Sequence, residues 1–132
     1  MGAESRMRTQ VVRLLNSLHA IAVENRVGAG TPDVEAMGSW LELKQLPAWP
    51  VRADTVTRVE HFKTEQRLFL ETRWERGGNA FLLLKVKQEW LLFDGDVAAK
   101  IVGHVPRATL IANVRHYWPR GIDKDLLTCI HR

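Results

Sequence analysis

The 132-residue chain reads as an α/β protein, a mixed central sheet flanked by helices, and three features of the sequence predict it. Apolar residues recur at helical spacing near the start, in the middle and again towards the end. Between those stretches lie short runs of period-two alternation or of unbroken apolar character, the two forms a strand takes when one or both of its faces are covered. The order is helix, three strands, helix, two strands, helix, which describes an α/β sandwich with helices packed on a mixed central sheet.

Composition bounds the rest. With 45% hydrophobic and 26% charged residues, the chain can bury one core and fits a single domain over 1–132. A mean hydropathy of -0.19 speaks against a membrane protein. The longest apolar runs, Phe81 to Leu84 and Trp90 to Phe93, fall far short of the roughly 18 residues a spanning helix needs. A net charge of +4 and an isoelectric point near 9.6 allow a polyanionic partner without requiring one. Cys129 is the single cysteine, with neither a disulfide partner nor zinc-ligand spacing around it, as expected of a reducing, cytoplasmic compartment. The first ten residues carry Glu4, Arg6 and Arg8 and no apolar stretch, so no export is expected.

Met7, Val11, Leu14, Leu15, Leu18 and Ala22 recur at helical spacing between Glu4 and Ala22, and predict an amphipathic first helix. At 100° per residue Glu4 falls on the side of Val11 and Leu15, so a carboxylate heads the stripe that faces the core. Ile21 to Val27 reads as a strand, closed by the turn residues Gly28-Ala29-Gly30-Thr31-Pro32. Asp33 to Met37 is a short extended run. Gly38 and Ser39 then reverse the chain into Trp40 to Leu46, whose alternation puts Trp40, Glu42, Lys44 and Leu46 on one face. Pro47 and Pro50 end that strand, and an irregular connection follows.

A second helix is expected over Glu60 to Arg76, with Gln66 inside the stripe of Phe62, Phe69 and Leu70 and with Gly77-Gly78 as its stop. Ala80 to Val86 suits a strand covered on both faces, and Glu89 to Phe93 a neighbour of it. Asp94-Gly95-Asp96 opens a short helix. Leu110, Ile111, Val114 and Trp118 predict a last helix over Pro106 to Trp118, within a helical C-terminal extension over about 96–132.

The chemistry gathers on two of these strands. Asp33 opens one, and Glu42 and Lys44 project from one face of the next, so two carboxylates and an ammonium converge. Oxygen ligands of this kind suit magnesium, which binds through one or two carboxylates plus substrate phosphate and retains waters. Such a metal polarises a phosphoryl oxygen and acidifies bound water, and a neighbouring lysine stabilises the charge that develops. Phosphodiester hydrolysis is the reaction this suggests. Taken singly, Asp33 reads as a turn residue after Pro32, and Glu42 with Lys44 as a solvent-exposed strand face with a weak cross-strand ion pair. Agreement with the preceding helix and the Gly-rich loop favours the joint reading. Glu24 and Glu35 are rival acids for a third carboxylate if the strand register differs. The five histidines show no ligand spacing, although His61 lies near the proposed site in sequence.

Through Thr31-Pro32-Asp33-Val34 and Leu41-Glu42-Leu43-Lys44-Gln45 the sequence resembles the PD-(D/E)XK nuclease superfamily. That superfamily's restriction-endonuclease-like core runs αβββαβ, and Glu4 to Val86 follows the same order. Smaller members often add an acid in the first helix and a Gln in the helix after the motif, the places held by Glu4 and Gln66. Phe62-Lys63-Thr64-Glu65-Gln66, leading to Gly77-Gly78-Asn79-Ala80-Phe81-Leu82, is similar to bacterial and phage Holliday-junction resolvases and to virus-type replication-repair nucleases.

The resemblance implies Asp33, Glu42 and the Leu43 backbone carbonyl as ligands of magnesium, for which manganese could substitute, and Lys44 as the catalytic cation. Glu4 would hold a metal-bound water or a second metal, and Gln66 would orient water or phosphate from the opposite side. The implied protein is a magnesium-dependent DNA endonuclease, selective for Holliday junctions or other branched DNA. It would serve recombination, repair or phage replication, be cytoplasmic or phage-encoded, and act as a homodimer on two symmetry-related strands. Arg52, Arg58, Lys63 and Arg67 could track phosphates, as could Arg107, Arg115, Arg120 and Lys124. The alternatives are an inactive DNA-binding subunit that keeps the fold, and an interaction subunit of a replication or repair assembly.

Overall fold

A computed structural model describes residues 2–23, 28 and 30–132. Helix α1 (Ala3–Leu14) leads through a 3-10 turn (Asn16–Leu18) to β1 (Ile21–Ala22), β2 (Val34–Ala36) and β3 (Ser39–Leu46). After a long connection come α2 (Thr64–Glu75), β4 (Asn79–Val86) and β5 (Glu89–Asp94), then α3 (Gly95–Ile101), α4 (Arg107–Ala112), β6 (His116–Trp118) and α5 (Leu126–Cys129). The six strands form one mixed sheet in the order β1-β2-β3-β4-β5-β6. Only β3 and β4 run parallel, joined by the α2 crossover, and the other pairs are antiparallel.

Apolar cores cover both faces of the sheet. Met7, Val11 and Leu15 pack with Leu41, Phe81, Leu83 and Leu92 on one side, and Phe62, Leu70, Ala98 and Leu110 with Leu82, Leu84, Leu91 and Phe93 on the other. Alternate residues of β4 therefore enter opposite cores. That is why Ala80 to Leu84 reads as an unbroken apolar run: over those residues no position is left for a polar residue to face water.

Four expectations are corrected by the structure. The first helix stops at Leu14, eight residues before Ala22, because the chain must turn into β1 and does so at His19, whose φ is 52°. Leu18 nonetheless packs on the core, which is why its spacing looked helical. The first strand is only Ile21–Ala22 in the described residues, and 24–27 lie outside them. The β2–β3 reversal is at Met37 and Gly38, with φ of 49° and 90°, and Ser39 already belongs to β3. Helix α2 starts at Thr64, since His61 and Phe62 lie in a turn ahead of it, where one meets Lys44 and the other enters the core.

The C-terminal third differs most. The expected helix over Pro106 to Trp118 ends at Ala112, and His116–Trp118 instead pair with β5 as β6, with Trp90 opposite Trp118. Two tryptophans on adjacent strands bury more apolar surface there than another helical turn would. Residues past 95 are thus not a purely helical extension. Leu126 and Ile130 are fully buried against α1 and the sheet, and the Ser39 hydroxyl donates to the Ile130 carbonyl at 2.7 Å.

The loop before Asp33 is held by one close approach. Gly30 has φ 77°, and a Cβ built there would lie 2.1 Å from the Glu65 carbonyl oxygen at the start of α2. Gly30→Ala must strain the backbone and push the loop off α2. The expected cost is about 2 kcal/mol or more, read as a lowered urea midpoint.

Candidate active site

Asp33 stands where β2 leaves β3. Its N–H still donates to the Leu41 carbonyl at 3.1 Å, but the next rung is made by its side chain, whose Oδ2 accepts the Leu43 N–H at 2.9 Å. A carboxylate thus replaces a strand carbonyl. N–H and C=O of one strand residue point to the same edge, so the Leu43 carbonyl opens towards this gap as well.

Glu42 and Lys44 share the α2 face of β3. Glu42 is 1% and Lys44 6% exposed, and Lys44 Nζ lies 3.3 Å from Glu42 Oε2 while donating to the His61 carbonyl at 2.9 Å. The other Glu42 oxygen, Oε1, is buried without a hydrogen-bond donor. Burial first, and the Asp33 carboxylate second, push the Glu42 pKa up to about 8, with Lys44 pulling the other way. Asp33 and Glu42 are in contact, and two acceptors can bond only through a shared proton or a cation. Burial and Lys44 lower the His61 pKa, and Glu4 opposes them.

These groups line one cleft of about 220 Å³. Glu4, Met7 and Arg8 enter it from α1, Asp33 from the head of β2, Glu42 to Gln45 from β3, and His61 and Gln66 from the start of α2. Asp33, Glu42, Leu43, Lys44, Glu4 and Gln66 are therefore brought together from four segments. Glu4 sits exposed at the rim, and among the described residues no three His, Cys, Asp or Glu side chains already form a metal-holding group. Two touching carboxylates, a carbonyl and an undonated buried oxygen still fit a hard cation that retains water. Asp33, Glu42 and the Leu43 carbonyl would hold it. Glu35 is turned away, its Oε2 accepting the Gly38 N–H at 2.6 Å, and Glu24 lies outside the described residues.

Gln66 has a structural task as well. Its Oε1 accepts the Lys63 N–H at 2.8 Å and so caps α2, leaving its amide nitrogen to offer to the cleft. Gln66→Ala is expected to cost about 1 kcal/mol from the lost cap and roughly 10- to 100-fold in turnover per folded molecule. Loss of stability with unchanged turnover would leave it only the cap.

The four cations proposed to track phosphate divide. Arg67 is committed internally: its guanidinium donates to the Ala99 carbonyl at 3.1 Å and lies 4.2 Å from the Phe62 ring centre. Arg52 and Asp54 face each other loosely at 3.9 Å in open solvent, and Arg58 and Lys63 are exposed. Of the C-terminal group, Arg107 pairs with Glu89 at 2.9 Å, and Arg115 pairs with Asp94 at 2.9 Å and donates to the Cys129 and His131 carbonyls.

Sequence reasoning passed over Arg8, Gln45 and His61 as cleft residues. Arg8 had a signal, being one helical turn beyond Glu4 on the same side. Gln45 sat in the motif, and its Oε1 is buried without a partner. His61 had only its nearness to the site in sequence, because its carbonyl meets Lys44 through the path of the loop. Compared with family models, curated proteins and solved structures, the chain matches none.

The buried Glu42 makes metal-free stability depend on pH. A carboxyl whose folded pKa is raised contributes stability that is full below its ordinary value of 4.5 and is lost as pH rises through about 8. Metal-free protein should melt lower at about pH 9 than at about pH 6, and Glu42→Gln should flatten that slope. An unchanged slope in the variant would remove Glu42 as its source.

Proposed function

We propose that this chain is a magnesium-dependent nuclease of the PD-(D/E)XK kind, acting on branched or otherwise structured DNA. The observation that carries the reading is the half-buried Asp33 carboxylate in contact with the buried Glu42 carboxylate, with an undonated Glu42 oxygen and the Lys44 ammonium 3.3 Å from the other. A protein gains nothing for stability from a buried carboxylate set against a second carboxylate, and an arrangement of this type is a mark of function.

Magnesium, or manganese in its place, would supply Lewis-acid polarisation of the phosphoryl group and a more acidic bound water. Within the chain, Asp33 and Glu42 bring the negative charge that holds the cation, and Leu43 offers its carbonyl. Lys44, held by the His61 carbonyl, presents an ammonium where negative charge develops. Gln66 offers amide hydrogens from the α2 side. Glu4 and Arg8 form the opposite wall, and their charges orient water and phosphate.

A homodimer would present two such clefts to opposed strands of a junction, whereas a monomer suits flaps or nicked duplexes. The test is cleavage of labelled linear, flap and four-way-junction DNA with magnesium, manganese, calcium or chelator, paired with light scattering. Cleavage with magnesium or manganese and binding without cleavage in calcium are expected, since calcium's looser coordination positions water poorly. Binding without cleavage under any metal would favour the inactive subunit. A monomer indifferent to the junction would remove the resolvase assignment and leave a general nuclease.

A further inference from the structure

The cleft continues along α1 through residues it shares with its neighbours. Arg8 lines the cleft and also a shallow depression bounded by Thr9, Val12, Arg13 and Ala22. Arg13 in turn lines a groove with Arg6, Gln10 and Lys124. Among the described residues, four cations and no carboxylate line these two depressions. The depression beside α2 is unlike them, because Glu60 stands there among Arg58, Arg67 and His104.

Arg8 and Arg13 lie on one helix with no acid between them and raise the local potential, and Lys124, which stands between Asp123 and Asp125, reaches the same groove from the C-terminal segment. Their spacing favours a linear anion over a compact one. From Arg8 to Arg13 the helix rises roughly 7.5 Å, the length over which one strand of a duplex presents about two phosphates at ~3.4 Å each. Thr9 and Gln10 add uncharged hydrogen-bonding groups between the charges. An anionic membrane is a poorer fit, since the exposed large apolar side chains Ile21, Met37, Val51 and Leu68 lie off this helix.

We propose that α1 is the exit track for the nucleic-acid backbone, with Arg8 at the mouth of the cleft and Arg13 and Lys124 contacting phosphates beyond it. The track rests on the nuclease reading and names the surface on which that reading's substrate lies. It sits on the sheet face opposite α2, and so replaces the Arg52–Arg67 region as the main phosphate contact.

The test measures binding of a labelled duplex of about 20 base pairs in calcium across a salt series. It compares the wild type with Arg13→Gln/Lys124→Gln and with Lys87→Gln/Lys100→Gln, a pair of equal charge loss among exposed residues off this track. The α1 pair should lower the steepness of log affinity against log salt by about 2 and weaken binding on the order of tenfold at ~0.1 M salt, whatever the base sequence. The control pair should do neither. All of the substituted side chains are exposed, so thermal melts should match the wild type. A wild type that binds and cleaves DNA, with equal salt slopes in both double variants, would overturn the track alone. A wild type that neither binds nor cleaves DNA, or that binds only anionic vesicles, would overturn the track and the nuclease reading together.

Discussion

Replacing Asp33 by Asn should abolish DNA cleavage while leaving the protein folded. The carboxylate has two tasks that the substitution separates. Its Oδ2 holds the Leu43 N–H at 2.9 Å where β2 parts from β3, and an amide oxygen can do the same. Its charge, set against Glu42, is what draws a divalent cation, and an amide cannot supply that. Asp33→Ala loses both, and should cost about 1–3 kcal/mol more because the Leu43 N–H is left without an acceptor. Cleavage rates with magnesium, set beside urea midpoints for the two variants, check this. Full activity in Asp33→Asn would overturn the site, and equal stability of the two variants would overturn the account of the strand junction. The Asp33→Asn substitution should also lower the Glu42 pKa, because the second-largest cause of its elevation is removed.

Lys44→Met carries the second large effect. Turnover should fall on the order of 100-fold or more, the scale seen when a donor aimed at developing charge is removed. The cost in stability should depend on pH. Lys44 lies 3.3 Å from Glu42 and is one of the groups holding its pKa down, so without it the carboxyl takes up a proton more readily still. Near pH 6 the protonated Glu42 leaves no buried charge exposed to the loss. Near pH 9 the charge must be kept unpaired or a proton bound at a cost, and breaking a buried pair costs about 3–5 kcal/mol. Melting of Lys44→Met should therefore drop much further below the wild type at the higher pH. An equal drop at both would mean that Lys44 serves mainly to tie the His61 carbonyl to β3, at 2.9 Å.

The elements that local pattern determines are those whose own residues supply the reason. Strand β4 is apolar from Ala80 to Leu84 because both of its faces are covered there, α2 stops at Gly77 with φ 86°, and α3 begins at Gly95 behind Asp94. Asp33, Glu42 and Lys44 were legible because strand alternation and a proline-led turn are local. The pairing of Glu42 with Lys44 on one face needs only a period of two. Glu4 and Gln66 were legible as members of helix faces.

Tertiary structure alone decided the rest. Whether Val114 and Trp118 continue a helix or Trp118 pairs with Trp90 depends on a strand more than twenty residues earlier. The length of α1 depends on where β1 must meet β2. The same holds for the site's electrostatics. Nothing in the order of residues makes Glu42 more buried than Glu4, although both are acids on core-directed faces; one lies in the central sheet under α2, the other at the free end of a helix. A carboxyl's pKa follows from how much water it keeps and which charges surround it. Both are properties of assembled neighbours, and so the chemistry of this cleft was set by packing, while the residues that take part in it were written in sequence.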